Sequence, residues 1–129
     1  MSENRAVAAT LSLDGQPDLP VLALLSHTSE EPAKVRIVLV DEEDSLADLV
    51  LARSLFTEGV VQGAAGDGEL QVQTVGSTVF VGVGALTVAL ALVDVLDHLL
   101  ASYAVSPTAA ENNIVLALSA RRSAVSSPQ

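Results

Sequence analysis

The chain has 129 residues, enough for one domain with a real core. Sixteen acids against six bases leave a net charge of −10, which excludes ready binding to nucleic-acid backbones or anionic membrane surfaces, both of which require clustered Lys and Arg. There is no cysteine, so disulfide stapling, thiolate catalysis and Cys-ligated zinc are excluded as well.

Arg5 to Leu13 alternates, with Val7, Ala9, Leu11 and Leu13 on one side and Ala8, Thr10 and Ser12 on the other, which predicts a half-buried strand. Asp14-Gly15-Gln16-Pro17 is a turn cluster. Leu19 to Ser26 reads as a second strand, Thr28 to Pro32 as a turn, and Val35 to Val40 as a third strand. Four acids, Asp41, Glu42, Glu43 and Asp44, then stand where a hairpin loop belongs. From Ser45 to Gly59 periodicity allows either one long helix or a strand to about Leu51 followed by a short helix.

Gly63 to Gly68 reads as a flexible connector of small residues, and Leu70 to Val75 with Ser77 to Val83 as a hairpin across Gly76. No charge occurs between Glu69 and Asp94, a run long enough for a membrane span. Gly82 and Gly84 interrupt it, Val79, Val81 and Val83 alternate, and no base flanks it, so it reads as a buried strand followed by a helix. Val88, Leu92, Val95, Leu96, Leu99 and Tyr103 form the apolar stripe of that amphipathic helix, with Asp94, Asp97 and His98 away from the stripe. Glu111 to Ala120 fits a helix or a strand, and 123–129 reads as a disordered tail behind a single domain spanning 1–122. No internal repeat is visible. The pattern predicts an α+β domain with the helix stripe on one face of an antiparallel sheet.

No catalytic constellation emerges. Asp94 and His98, at i and i+4, read as a solvent-side ion pair rather than a metal pair, because no third ligand is near in sequence. His27 beside Thr28 and Ser29 has no nucleophile-elbow sequence around it. The glycines from Gly63 to Gly68 precede a strand, not a helix, and lie beside Asp67 and Glu69, which would repel phosphate. The run Asp41, Glu42, Glu43, Asp44 is a solvated loop or a patch for a basic partner; it lacks the spacing of a Ca²⁺ loop. No cofactor or metal is implied. A domain using His27 or His98 for ligand binding or catalysis would need a buried, partly polar pocket around one of them.

The order of several blocks resembles the SsgA-like sporulation and cell-division proteins of actinomycetes. Pro20-Val21 and Glu31-Pro32 are similar to that family's strand start and acid-Pro turn. Val50, Ala52, Arg53, Leu55, Glu58 and Gly59 match its block around an Ala-Arg dipeptide and a Glu-Gly pair. Gly66-Asp-Gly-Glu-Leu-Gln-Val72 is similar to a Gly-rich strand start, and Leu96-Asp-His-Leu-Leu100 holds the place of a late helix. The family's Trp positions fall on Leu49 and Gln73. The resemblance implies a strongly twisted antiparallel sheet of about six to seven strands, Whirly-like, with a short helix after a strand ending near Leu51 and one long helix. It also implies a homotrimer, no enzyme activity, and a cytoplasmic role at division septa with FtsZ and the wall-synthesis machinery. A Whirly-like shape also raises a single-stranded nucleic-acid-binding module as the alternative. The shortage of bases and aromatics opposes it, since Phe56, Phe80 and Tyr103 are the only rings available for stacking.

Overall fold

Period-two alternation governs the first half of the chain, and a computed structural model shows what it builds; the structure describes all residues except 15, 43, 108–110 and 127–129. Strands β1 (Ser2–Leu13), β2 (Leu19–Thr28), β3 (Lys34–Asp41) and β4 (Asp44–Ala52) form an antiparallel meander, and α1 (Arg53–Val61) follows directly. Strands β5 (Ala64–Asp67), β6 (Leu70–Val75), β7 (Thr78–Val83) and β8 (Leu86–Ala91) form a second meander, followed by α2 (Leu92–Val105). The two meanders join where β1 pairs with β8, Ala9 opposite Leu90 and Leu11 opposite Val88. The result is one sheet of eight strands in the order β4-β3-β2-β1-β8-β7-β6-β5. Helix α3 (Glu111–Ser126) packs on α2 and α1.

The expected α+β class and antiparallel sheet are borne out, with eight strands instead of six or seven. The ambiguous stretch after Asp44 is a strand to Ala52 and then a short helix, the alternative that the resemblance implied. Three expectations need correction. The expected connector at 63–68 contains β5, whose Ala64 and Asp67 pair with Gln73 and Leu70 of β6. The helix expected from Val88 begins at Leu92. Val88 and Leu90 are inward residues of β8, and their helix-like spacing to Leu92 is a coincidence of a strand running straight into a helix. The terminal segment is helical through Ser126, so 123–126 continue α3, while 127–129 lie outside the described residues.

A repeat is present after all, in structure and not in sequence. Each meander feeds its helix the same way. Ala52 and Ala91 hold matching backbone angles (φ −63°, ψ 132° and φ −67°, ψ 132°) before α1 and α2. The first N–H of each helix then donates to the carbonyl just before the neighbouring strand, Arg53 to Ala33 and Leu92 to Ser77, both at 2.8 Å. These bonds satisfy a main-chain donor that a helix N-terminus leaves unpaired, and neither cap uses a side chain. Four of the hairpins close in two residues with the first at positive φ: Gly68, Gly76, Gly84 and, alone among them, the non-glycine Glu42.

The core lies between the inner sheet face and the helices. Val7, Ala23, Leu25, Val35, Ile37 and Val81 from the sheet meet Phe56, Val95, Leu96 and Leu99 from α1 and α2. Because β1 to β3 alternate, their opposite residues form an outer face that no helix among the described residues covers. No helix among the described residues is long and apolar enough to cross a membrane, and the uncharged run after Glu69 is β6, β7, β8 and the start of α2.

Helix α1 approaches the sheet closely at Gly59, where an added Cβ would come within 2.3 Å of Val72 Cγ1. Val72 is buried in β6, so it cannot move aside without displacing the core. Gly59→Ala should therefore destabilise the fold by about 1–3 kcal/mol, read as a lower urea midpoint. Gly63→Ala, where a Cβ meets nothing within 4 Å, should cost less, limited to backbone strain at its φ of 97°.

Candidate partner-binding surface

The acids Asp41 and Asp44 are register partners at the end of the β3–β4 hairpin, with Glu42 at the tip at φ 54°. Glu43 lies outside the described residues. Like charges directly opposite one another in a ladder repel, and no ion pair among the described residues involves Asp41, Glu42 or Asp44. The turn is therefore an exposed anionic end of the sheet. Glu42 occupies the backbone position that glycine fills in the other two-residue turns, a conformation unfavourable for a residue with a Cβ.

The outer sheet face is aliphatic. Ala6, Leu24 and Val38 are aligned across β1, β2 and β3, and Ala8, Leu22 and Val40 form the next row. Leu22 and Leu24 stay 43% and 37% exposed, large values for leucines in the middle of a sheet. Toward β4 the row becomes polar: Arg36 Nε donates to Asp48 Oδ1 at 2.8 Å, and a second guanidinium nitrogen contacts Asp48 Oδ2. That hydrogen bond holds the Asp48 carboxyl below its usual range and raises Arg36.

All six bases are engaged within the chain. Arg5 pairs with Glu3 at 2.6 Å, Lys34 with Glu31 at 3.4 Å and Arg122 with Asp97 at 2.6 Å. Arg121 donates to the Val61 carbonyl, Arg36 pairs with Asp48, and Arg53 is buried. Phe80 is only partly exposed.

Arg53, the first residue of α1, organises a buried polar cluster. Its Nη1 and Nη2 donate to the carbonyls of Ser102 and Ser106 at 2.8 Å each, at the C-terminal end of α2. The guanidinium lies 3.9 Å from the centroid of the Tyr103 ring, and the Tyr103 hydroxyl is 2.8 Å from Thr57 Oγ1. The negative end of a helix dipole and an aromatic face both favour a cation there. His27 joins the same knot: Nδ1 lies 2.9 Å from the Lys34 carbonyl and Nε2 3.0 Å from Ser106 Oγ. A carbonyl only accepts, so Nδ1–H donates to Lys34 and Nε2 accepts from Ser106. A cleft of about 210 Å³ touches His27, but both ring nitrogens are already used, and the third member of this Ser–His arrangement is a main-chain carbonyl instead of a carboxylate. The geometry is that of a structural tie.

The expected solvent-side Asp94–His98 pair does not form. His98 is fully buried and faces Glu3 of β1, with Nδ1 3.7 Å from Glu3 Oε1. The helical wheel placed His98 on the polar side because it could not know that the start of β1 covers that side. Neither ring nitrogen has a hydrogen bond. Burial pushes the imidazole from 6.5 down to about 4, opposed by the Glu3 carboxylate. Among the described residues no group of three or more His, Asp and Glu could hold a metal. Sequence reasoning missed the Arg53–Ser102–Ser106–His27 cluster. Its only advance signal was Arg53 within the block carrying the family resemblance.

No family model matches the chain, and no curated protein matches it. Two solved structures are similar over nearly their whole length. One, SsgB, whose mutations correlate to longitudinal cell division during sporulation of Streptomyces coelicolor, is 20% identical with a TM-score of 0.74, covering 88% of this chain and 95% of that one. The other, an SsgA-like sporulation-specific cell division protein from Thermobifida fusca, is 17% identical with a TM-score of 0.76, covering 97% and 96%. At these identities the likeness is one of fold, and the fold is the one that the sequence blocks resembled.

Two outcomes follow from the buried groups. Arg53→Met removes two charge-assisted hydrogen bonds and takes the buried guanidinium donor from the Ser106 carbonyl, while the Ser102 carbonyl keeps the Ser106 N–H, so it should cost about 3 kcal/mol or more; Arg53→Lys should recover only part, as equilibrium denaturation will show. For His98 the folded pKa lies below the unfolded one, so the unfolded chain takes up the proton first. Stability is then full above about pH 6.5 and falls as pH drops toward 4. Between pH 7 and 5, short of the pI near 4.3, the loss from this group should be about 2 kcal/mol. His98→Leu should remove that slope from urea midpoints measured across the same range.

Proposed function

We propose that the protein is a non-enzymatic regulator of sporulation and cell division that acts in the cytoplasm at division septa. It does so as a homotrimeric adaptor, helping to place FtsZ and the wall-synthesis machinery. The observation that carries this reading is the fold shared with two sporulation cell-division proteins over 95% and 96% of their chains. The surface chemistry supports it independently. His27 is tied at both ring nitrogens and His98 is fully enclosed, whereas an aliphatic sheet face beside an anionic turn stays exposed. Leu22 and Leu24 at the middle of that face suit self-assembly, since a monomer seldom leaves a contiguous apolar patch in water. The acidic turn at Asp41, Glu42, Glu43 and Asp44 suits a basic partner. The engagement of every base within the chain argues against the nucleic-acid alternative, because phosphate contacts require cations that are not already paired.

Sedimentation at micromolar concentration should give a mass of about 40 kDa, three times the 13.2 kDa chain. Isotherms with single-stranded DNA at low salt should be flat, and the assembled protein should retain division proteins from an actinomycete lysate. A strict monomer would count against the assembly, and salt-sensitive DNA binding would favour the alternative.

A further inference from the structure

The two edges of the sheet differ. At one end β5 is four residues long and lies against α1; at the other, β4 is nine residues long, and among the described residues nothing pairs with its outer side. The bond from Arg53 N–H to the Ala33 carbonyl fixes the phase of the β3–β4 ladder. Residues 47, 49, 51 and 53 exchange bonds with β3, so the main-chain groups of Asp48, Val50 and Ala52 point away from the sheet. A bulge at Leu39/Val40 interrupts the ladder, leaving Ala47–Ala52 as an unbroken edge of about 20 Å. Edges of this kind are usually blunted by Lys or Pro. Here neither occurs between Asp44 and Ala52, and Val50 is 55% exposed.

We propose that the β4 edge docks an extended peptide segment of another protein as an added strand, with basic residues at the end beside Asp41 and Asp44. This rests on the adaptor reading and names the chemistry of the partner. The charge pattern selects the occupant. Asp41 and Asp44 face each other unpaired at one end of the edge, whereas at the other the pairs Lys34–Glu31 and Arg36–Asp48 are neutralised. An incoming cation relieves the repulsion of the two carboxylates. A second copy of β4 would bring Asp44 and Asp48 but no base. A cleft of about 210 Å³ opens on the outer face beside Val50, walled by Ser26, Glu31, Lys34 and Arg36. It provides the side-chain recess that strand addition uses for specificity.

The test is to pan a randomised octapeptide display library against the intact protein and to measure binding of an enriched peptide by fluorescence anisotropy. Enriched peptides should carry Lys or Arg at one end. Val50→Pro removes an N–H that β3 does not use, and it should weaken binding at least tenfold while leaving solution mass and urea midpoint unchanged. Should Val50→Pro misfold, Ala52→Pro serves instead, because Ala52 already holds a φ of −63°. The double change Asp41→Asn, Asp44→Asn should weaken binding at least tenfold and flatten its salt dependence. The inference is overturned if no peptide enriches, if peptides bind the proline variants as well as the parent, or if the edge instead joins two copies, seen as a mass increase that Val50→Pro abolishes. A parent protein that still trimerises and retains division proteins while no peptide enriches loses only this inference. A monomer that captures no division protein yet binds selected peptides at the edge loses only the adaptor reading.

Discussion

One buried guanidinium decides how the second half of this molecule sits on the first. Arg53 opens α1, and its side chain reaches the carbonyls of Ser102 and Ser106 at the end of α2; the first also accepts the Ser106 N–H, and the second lies past the last helical turn. Burying a cation is costly unless each donor finds an acceptor and the local field is negative. The end of α2 supplies both, with the Tyr103 ring beneath and Thr57 holding the Tyr103 hydroxyl. His27 fastens the same turn to the β2–β3 hairpin through Ser106 and Lys34. A helix ending elsewhere would strand the charge, so the cluster specifies a place as well as contributing energy.

That anchoring commits the inner face of the sheet to the core and leaves the other face open. The helices fill the inner face, and the first strands leave a row of Ala, Leu and Val on the outer one. The bases are engaged within the chain, so among the described residues the molecule presents acids outside any ion pair, at Asp41, Glu42 and Asp44, beside exposed aliphatic area. Such a surface meets proteins more readily than nucleic acid. The two meander-plus-helix units share their helix-entry geometry, but only the first ends in a long bare edge strand, because β5, its counterpart at the far edge, is short and lies against α1.

Much of the fold was legible in local pattern. Val7, Ala9 and Leu11 alternate because successive strand side chains alternate faces, and they point inward as that rule requires. Leu96, Leu99 and Tyr103 recur at helical spacing and are buried. The failures occurred where two periods overlap or where a distant segment intervened. Val88 satisfies both a strand from Leu86 and a helix through Leu92, and its pairing with Leu11 and Val81 decides between them. Gly63 to Gly68 looks like a connector because it lacks large side chains, yet main-chain bonds to β6 make part of it a strand. The acidic turn was read correctly as the tip of a hairpin.

The sequence by itself determined the alternation of the strands, the stripe of α2 and the acidic excess, because each is a property of composition or of neighbours a few residues apart. Tertiary structure alone decided that His98 is enclosed by the start of β1, that Arg53 meets residues 49 and 53 positions away, and that β4 became an edge. Those outcomes depend on which distant segments share a wall, and contacts across tens of residues leave no periodic trace in the chain that makes them.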